Sequence, residues 1–350
     1  MLRAAVVGLT EIGAGRTNAP AGWPLNDPSP ESHVAAYVAH PETRVVAVCD
    51  LNQTLVLQCL TDWADAFDNV RGYADFHELL AREAIDLLSV VTGDDCHAEL
   101  VVAAAPRVRG LICEKPIATT LADADRMIAA VEAAGIPMSI EHTRRWRPIY
   151  HQVRDLLCQQ AIGRLRRVIA HLGGPRAMLF RNGTHLIDLV NFLIEAEPSW
   201  VFAELDEGFE DYSTYRGEGG RKAAGDPGGS VYVHYDNDVR AFFNASKGTC
   251  KGFELELIGY EGEIIIQQDQ AELRTKDGTG QLAGRAIAEA AFARRGLLGA
   301  VDEMVRLVRE GGESVSPPRA GRQALEIILA ALESQARGNA RVDFPLPRHS

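Results

Sequence analysis

The first 140 or so residues repeat one unit: a short apolar run, a turn, and then a segment whose apolar positions recur at helical spacing. The runs fall at residues 4–7, 45–49, 87–91 and 110–113, and residues 136–140 close the series. Continuous apolar runs joined by helical crossovers fit strands buried on both faces, which is the pattern of a parallel sheet. The Ala-rich stretch 120–134, with Asp and Glu on one face, predicts one of the crossover helices. This half of the chain therefore reads as an α/β doubly wound fold.

Past about residue 150 the pattern changes. Residues 231–235, 239–244, 253–258 and 263–268 alternate or are rich in β-formers, with Asp236-Asn237 and Tyr260-Glu261-Gly262 as turns, which predicts an antiparallel sheet. Helices are expected over 297–309 and 322–336, with Ser316-Pro317-Pro318 between them, and 342–344 reads as a final edge strand. A chain of 350 residues is long enough for two cores. The expected architecture is a Rossmann doubly wound parallel sheet over 1–143 and a C-terminal α+β domain over 144–350. The second domain carries a large open-faced, mostly antiparallel sheet, and its last helix and tail are free to pack back on the first. Two stretches interrupt the pattern. Residues 16–32 are rich in Pro, Gly and Asn and contain Trp23, reading either as a solvated loop or as a lid; residues 209–229 read as a Gly- and charge-rich loop.

A formal charge of −12 disfavours phosphate backbones and anionic lipid as partners, so neither nucleic acid nor membrane is expected. The six cysteines are scattered, with no CxxC pair and no His at zinc-finger spacing, which fits free thiols in the cytoplasm and gives no reason to expect a metal site. The first predicted strand starts too early for a signal peptide ahead of it, so a cytoplasmic location is expected.

Three short motifs carry chemistry. Gly8-Leu9-Thr10-Glu11-Ile12-Gly13 resembles a dinucleotide-binding turn in which Thr10 stands where a middle glycine would let the pyrophosphate approach most closely. Its Cβ either displaces the phosphates or brings a hydroxyl to them; a plain strand-to-helix turn is the competing reading. Asp50 ends the second strand, where a carboxylate accepts the ribose hydroxyls of an adenosine and repels a 2′-phosphate, favouring NAD over NADP. It lies farther along the chain than the usual distance of about 20 residues, a difference the 16–32 insertion accounts for; capping of the next helix is the alternative. Lys115, in Cys113-Glu114-Lys115-Pro116, is held by its proline at the mouth of the sheet, where it either polarises a substrate hydroxyl or forms part of a surface loop.

Taken with VVAVCD, TGDDCH around His97, LICEKP and NGTHLIDLVNFL, these motifs resemble the Gfo/Idh/MocA family of glucose-fructose oxidoreductases and inositol dehydrogenases, as do FELELIGYEGEI and the tail ALEIILAALESQARGNARVDFPL. The resemblance spans nearly the whole chain. It implies NAD(P) binding in the first domain and oxidation or reduction of a sugar or cyclitol carbon presented from the second. It implies Lys115 beside the reacting oxygen and His185 as acid or base. Cofactor contacts would come from Gly8, Thr10, Glu11, Ile12, Gly13, Asp50, Leu51, Thr92, Gly93, His97, Glu114 and Lys115, with a helix-start role as the alternative for His97. Substrate contacts would come from Arg181, Thr184, Asp188, His142, Arg145 and Trp146.

One position departs from the family pattern. Arg181 stands where the family's Asp precedes the histidine by one helical turn. A guanidinium there disfavours a protonated His185 and offers a fork for a carboxylate or phosphate, so an anionic carbohydrate is expected, with Arg144, Arg145, Arg147 and Arg176 as further anion partners. In the alternative, Arg181 points away and Asp188 or Glu141 orients His185; His142 is a reserve acid or base. The second domain's first strand is expected to start at Ile162-Gly163, with only 18 residues between Gly163 and Asn182 and Gly173-Gly174-Pro175 as the turn. Simple hydride transfer, oxidation-assisted elimination or epimerisation with retained NAD, and a non-catalytic NAD-binding sensor all remain open. A homodimer or homotetramer through the second domain's sheet is expected.

Overall fold

A computed structural model describes residues 1–16, 30–206, 226–250, 252–268, 270–290 and 294–347. Trp23, most of the 16–32 insertion and most of the 209–229 loop lie outside the described residues. The chain divides into two compact units, one formed by residues up to 146 together with 294–322, the other by 147–290 and 323–347.

In the first unit, strands β1 (Leu2–Val7), β2 (Thr43–Cys49), β3 (Arg71–Tyr73), β4 (Leu87–Val90), β5 (Gly110–Cys113) and β6 (Met138–Ile140) form a wholly parallel sheet in the order β3-β2-β1-β4-β5-β6. This is the expected doubly wound sheet. The core strands are fully buried, with Ala4, Ala5, Val6, Leu87 and Leu88 inaccessible, because helices cover both faces. Its first-half helices are α1 (Glu11–Ala14), α2 (His33–Ala39), α3 (Gln53–Asp62), α4 (Phe76–Arg82), α5 (His97–Ala104) and α6 (Leu121–Ala134). Leu2, Ala4 and Val6 alternate along β1 and share a core with Val34 and Tyr37 of α2. Leu297, Val301, Met304 and Val305 of a late helix, Gly296–Glu310, complete that core.

The second unit begins with α7 (Pro148–Cys158), β7 (Leu165–Gly173), α8 (Thr184–Ile194) and β8 (Pro198–Leu205). Strands β9 (Gly229–Tyr235), β10 (Arg240–Ser246), β11 (Gly252–Gly259), β12 (Gly262–Gln267), β13 (Gln270–Lys276) and β14 (Leu282–Ile287) follow. After α9 (the Gly296–Glu310 helix) and α10 (Pro318–Ala336), β15 (Val342–Asp343) closes the chain. The nine strands run β14-β13-β12-β11-β7-β10-β9-β8-β15, antiparallel except for the β7–β10 pair. The alternation is that of a sheet covered on one face: Val168, Ala170, Leu172, Val231, Val233, Phe253 and Leu255 point inward, whereas Ile169, Phe202 and Phe242 are exposed. Helix α8 packs on β7 and β10. No described helix is long and apolar enough to cross a membrane.

Candidate active site

The first unit gathers its candidate residues at the C-terminal ends of the parallel strands, the edge where doubly wound sheets bind ligands. Gly8 follows β1 with φ +93, and a Cβ on it would stand 2.3 Å from the Val91 carbonyl oxygen. A Cβ on Gly13 would stand 2.0 Å from the Gly8 carbonyl oxygen. Both positions therefore require glycine, one for its backbone angle and both for the closeness of neighbouring main chain. Thr10 is the N-cap of α1, and its side chain makes no capping bond. Helix α1 has only four residues. Helix geometry leaves the Glu11 and Ile12 N–H groups without intrahelical acceptors. Thr10, Glu11 and Ile12 are exposed, so main-chain donors and a hydroxyl face outward together.

Asp50 locks this turn to the second strand. Its Oδ2 accepts the Leu9 N–H at 2.8 Å and its Oδ1 accepts the Asn52 N–H at 2.8 Å. Each oxygen retains a lone pair for a further donor. Leu51, beside it, is exposed. The glycine cradle, the outward donors and the fixed carboxylate fit the phosphates and ribose of a dinucleotide.

The loops after β4 and β5 are tied to each other by His97. It is fully buried at the start of α5, with Nδ1 3.0 Å from the Pro116 carbonyl oxygen and Nε2 3.3 Å from that of Thr92. The His97 ring thus fills the space between the Thr92-Gly93 and Glu114-Lys115-Pro116 turns, and its N–H donates to a carbonyl oxygen of one of them. Lys115 is buried, and its main-chain N–H donates to Glu114 Oε2 at 3.2 Å.

Glu141 and His142 follow β6 and are both buried. Burial pushes the Glu141 carboxyl well above the usual carboxylate range, and the charges of Glu114 and Glu303 reinforce the rise against Thr143 and Lys115. Thr143 approaches without hydrogen-bond geometry, and neither Glu141 oxygen has a hydrogen-bond partner among the described residues. Arg145 and Trp146 have polar atoms engaged inside the unit: Arg145 donates to the Val315 carbonyl oxygen at 2.7 Å and the Trp146 indole to Glu303 at 3.1 Å.

In the second unit, Arg181, Thr184, His185 and Asp188 lie on one continuous helical segment. Residues Leu179–Gly183 form a π-helical turn leading directly into α8, in which the Gly183 N–H donates to the Met178 carbonyl oxygen five residues back at 2.7 Å. This widened turn makes the angle between Arg181 and His185 differ from that of the α-helical spacing read from the sequence. Buried Asp226 holds the segment by accepting the Phe180 and Arg181 N–H groups at 3.1 and 3.0 Å. Thr184 and Asp188 are buried and His185 is half-buried. Sequence reasoning missed Asp226, which lies 45 residues beyond Arg181. It also missed His33, Tyr37 and Ser89, a buried polar group beneath Glu114.

A sheet whose ligand edge is built in this way defines a dinucleotide-binding protein of the doubly wound class. The chain belongs to the Gfo/Idh/MocA family of oxidoreductases. The family's "Oxidoreductase family, NAD-binding Rossmann fold" model matches residues 3–142, and its C-terminal domain model matches 150–265. Among curated relatives, D-apiose dehydrogenase of Paraburkholderia graminis is 26% identical over 338 residues, covering 88% of this chain and 85% of that protein. Among solved structures, levoglucosan dehydrogenase in complex with NADH and L-sorbose superposes with a TM-score of 0.79 at 19% identity, over 99% of both chains. The WlbA dehydrogenase of Bordetella pertussis, in complex with NADH and UDP-GlcNAcA, gives 0.74 at 18%, also over 99% of both.

Proposed function

We propose that this protein is an NAD-dependent dehydrogenase or reductase acting on a hydroxyl or carbonyl carbon of a sugar, sugar acid or cyclitol. The observation that supports the reading is the Glu114-Lys115-Pro116 turn, which follows β5 at the ligand edge of the sheet, carries a buried lysine there and has its Lys115 N–H donating to the Glu114 carboxylate. A bound nicotinamide supplies the hydride acceptor or donor. Lys115 holds the substrate oxygen and stabilises the negative charge that develops on it. His185 takes up the hydroxyl proton in oxidation and returns it in reduction. Asp50 selects NAD, because a 2′-phosphate would meet its carboxylate. Arg181 directs preference toward anionic substrates. The names of the relatives, D-apiose and levoglucosan dehydrogenase, support a carbohydrate substrate.

The outer face of the nine-stranded sheet supports assembly into a dimer or tetramer. Trp200, Phe202, Tyr232 and Phe242 form a ladder there, with centroid separations of 5.0 Å for Trp200–Tyr232 and Phe202–Tyr232 and 5.1 Å for Tyr232–Phe242.

The test is NADH absorbance with a panel of sugars, cyclitols and sugar acids, for the wild type and for Lys115→Ala and His185→Ala. Turnover is expected to fall by about 10²–10⁴ in each variant, with NADH binding intact. Unchanged rates would overturn the assigned roles. NAD uptake without any turnover would favour a binding or sensing role.

A further inference from the structure

We infer that His33 is a positioning residue for Lys115, acting through the carboxylate of Glu114; the inference rests on the role given to Lys115 above. His33 is the first residue of α2 and is completely buried. Its Nε2 lies 3.3 Å from Glu114 Oε1, while the other oxygen of the same carboxylate accepts the Lys115 N–H at 3.2 Å. On the far side of the ring, Nδ1 lies 2.9 Å from Ser89 Oγ, which lies 2.9 Å from the Tyr37 hydroxyl oxygen.

One proton arrangement serves every member of this chain. Tyr37 O–H donates to Ser89, Ser89 O–H donates to His33 Nδ1, and His33 Nε2–H donates to Glu114. The reverse direction would leave the Tyr37 O–H, inside a fully buried side chain, in need of another acceptor. The chain runs from α2 through β4 to the main chain of the residue that would hold the substrate oxygen.

Packing alone does not require it. Tyr37, Ser89 and His33 are all inaccessible to solvent, and Tyr37 belongs to an apolar cluster with Val34, Leu87 and Ile112, where apolar side chains of similar volume would avoid the desolvation cost. What the polar set provides is a fixed carboxylate. His33 holds the oxygen opposite the one that accepts the Lys115 N–H, so the orientation of the carboxylate against that main chain is set from both sides. An error of about 1 Å in placing a reacting group costs on the order of 100-fold in rate.

The test compares His33→Gln, which keeps an N–H donor directed at Glu114, with His33→Phe, which keeps the ring and loses both nitrogens. The chain has five lysines, so ¹⁵N-lysine labelling gives a sparse amide spectrum, in which Lys115→Arg identifies the Lys115 resonance. The expected result is an upfield shift of that amide in His33→Phe and little change in His33→Gln. With a turned-over panel substrate, kcat should fall about 10- to 100-fold in His33→Phe and less than about threefold in His33→Gln, with the Kd for NADH altered less than about threefold in both. Ser89→Ala, a milder change should His33→Phe fail to fold, should lower kcat by an intermediate factor. Equal kcat losses in the Gln and Phe variants, a loss confined to NADH binding, a shifted amide with unchanged kcat, or an unmoved Lys115 amide would each overturn the inference. In the Ser89→Ala comparison, an unchanged kcat would do the same. A wild type that turns over no panel member would remove the functional reading and this role with it, while the amide shift would still report the Glu114 contact, so the two failures are distinguishable.

Discussion

Asp50 accepts the main-chain N–H of Leu9 at 2.8 Å, joining the end of the second strand to the glycine turn after the first. The same carboxylate accepts the Asn52 N–H, so the group proposed to grip the adenosine ribose also shapes the turn proposed to cradle the phosphates. Hydrogen bonds to a charged group contribute about 1.5–3 kcal/mol each. Asp50→Ala is therefore expected to weaken NAD binding by about 10- to 150-fold and to narrow the preference for NAD over NADP. Calorimetric titration of both nucleotides checks this, and equal affinity of the wild type for NAD and NADP would contradict the selective role.

Glu141 gives a pH signature in stability. Its carboxyl titrates well above the usual range in the folded protein because it is buried beside Glu114. The folded state therefore holds a proton that the unfolded state has already released over the interval between the ordinary and the raised values. Stability falls as pH rises through that interval, by about 1.4 kcal/mol per pH unit for one proton. Glu141→Gln removes the titration. Relative to this variant, the wild type should lose stability as pH rises above the ordinary carboxylate range, read as diverging urea midpoints. Parallel midpoints across that range would show that Glu141 does not titrate this way.

What was legible in the sequence follows from how each element is buried. Strands β1, β2, β4 and β5 lie largely buried and stand out as mostly apolar runs, interrupted in β4 by the buried Ser89. Strand β3 is three residues at the sheet edge with Arg71 and Gly72 exposed, and β14 is exposed along nearly its whole length, so neither carries an apolar pattern. Strand β7 starts at Leu165, two residues past the Ile162-Gly163 start read from the sequence, because Gly163 turns at φ +69 before Val168, Ala170 and Leu172 alternate inward. Helix α10 begins at Pro318, four residues before the expected Arg322, because proline is tolerated in a first turn. The motif residues Gly8, Gly13, Asp50 and Lys115 could be read because each belongs to a contiguous signature. The supports beneath them could not: Asp226 reaches Arg181 across 45 residues and His33 reaches Glu114 across 81, and no local pattern encodes such pairings.

Arg181 supplies a test of substrate charge. Its main chain is fixed by Asp226 in a widened turn that enters α8, a rigid mounting for a side chain that recognises planar anions by a two-pronged contact. Arg181→Lys keeps the charge and loses the fork. For a sugar acid, KM should rise about 10-fold or more in this variant, whereas a neutral sugar should be affected little. Steady-state kinetics on a matched pair of substrates decides the matter; equal effects on both would remove the anion-binding role.

Assembly can be tested at the outer sheet face. Phe202 is 44% and Phe242 38% exposed, and they flank Tyr232 within the aromatic ladder, while the guanidinium of Arg341 covers Trp200 at 4.6 Å. Leaving such side chains in water forfeits about 25 cal/mol for each Å² of apolar surface that a partner could cover. A second copy of the same face satisfies this through a two-fold axis, since an identical patch meets itself. Phe202→Glu would place like charges opposite one another across that axis while leaving the buried face of β8 intact. Light scattering at micromolar concentration should show an oligomer for the wild type and a smaller species for the variant, with unchanged far-UV circular dichroism. A monomeric wild type would show that this face is not the site of assembly.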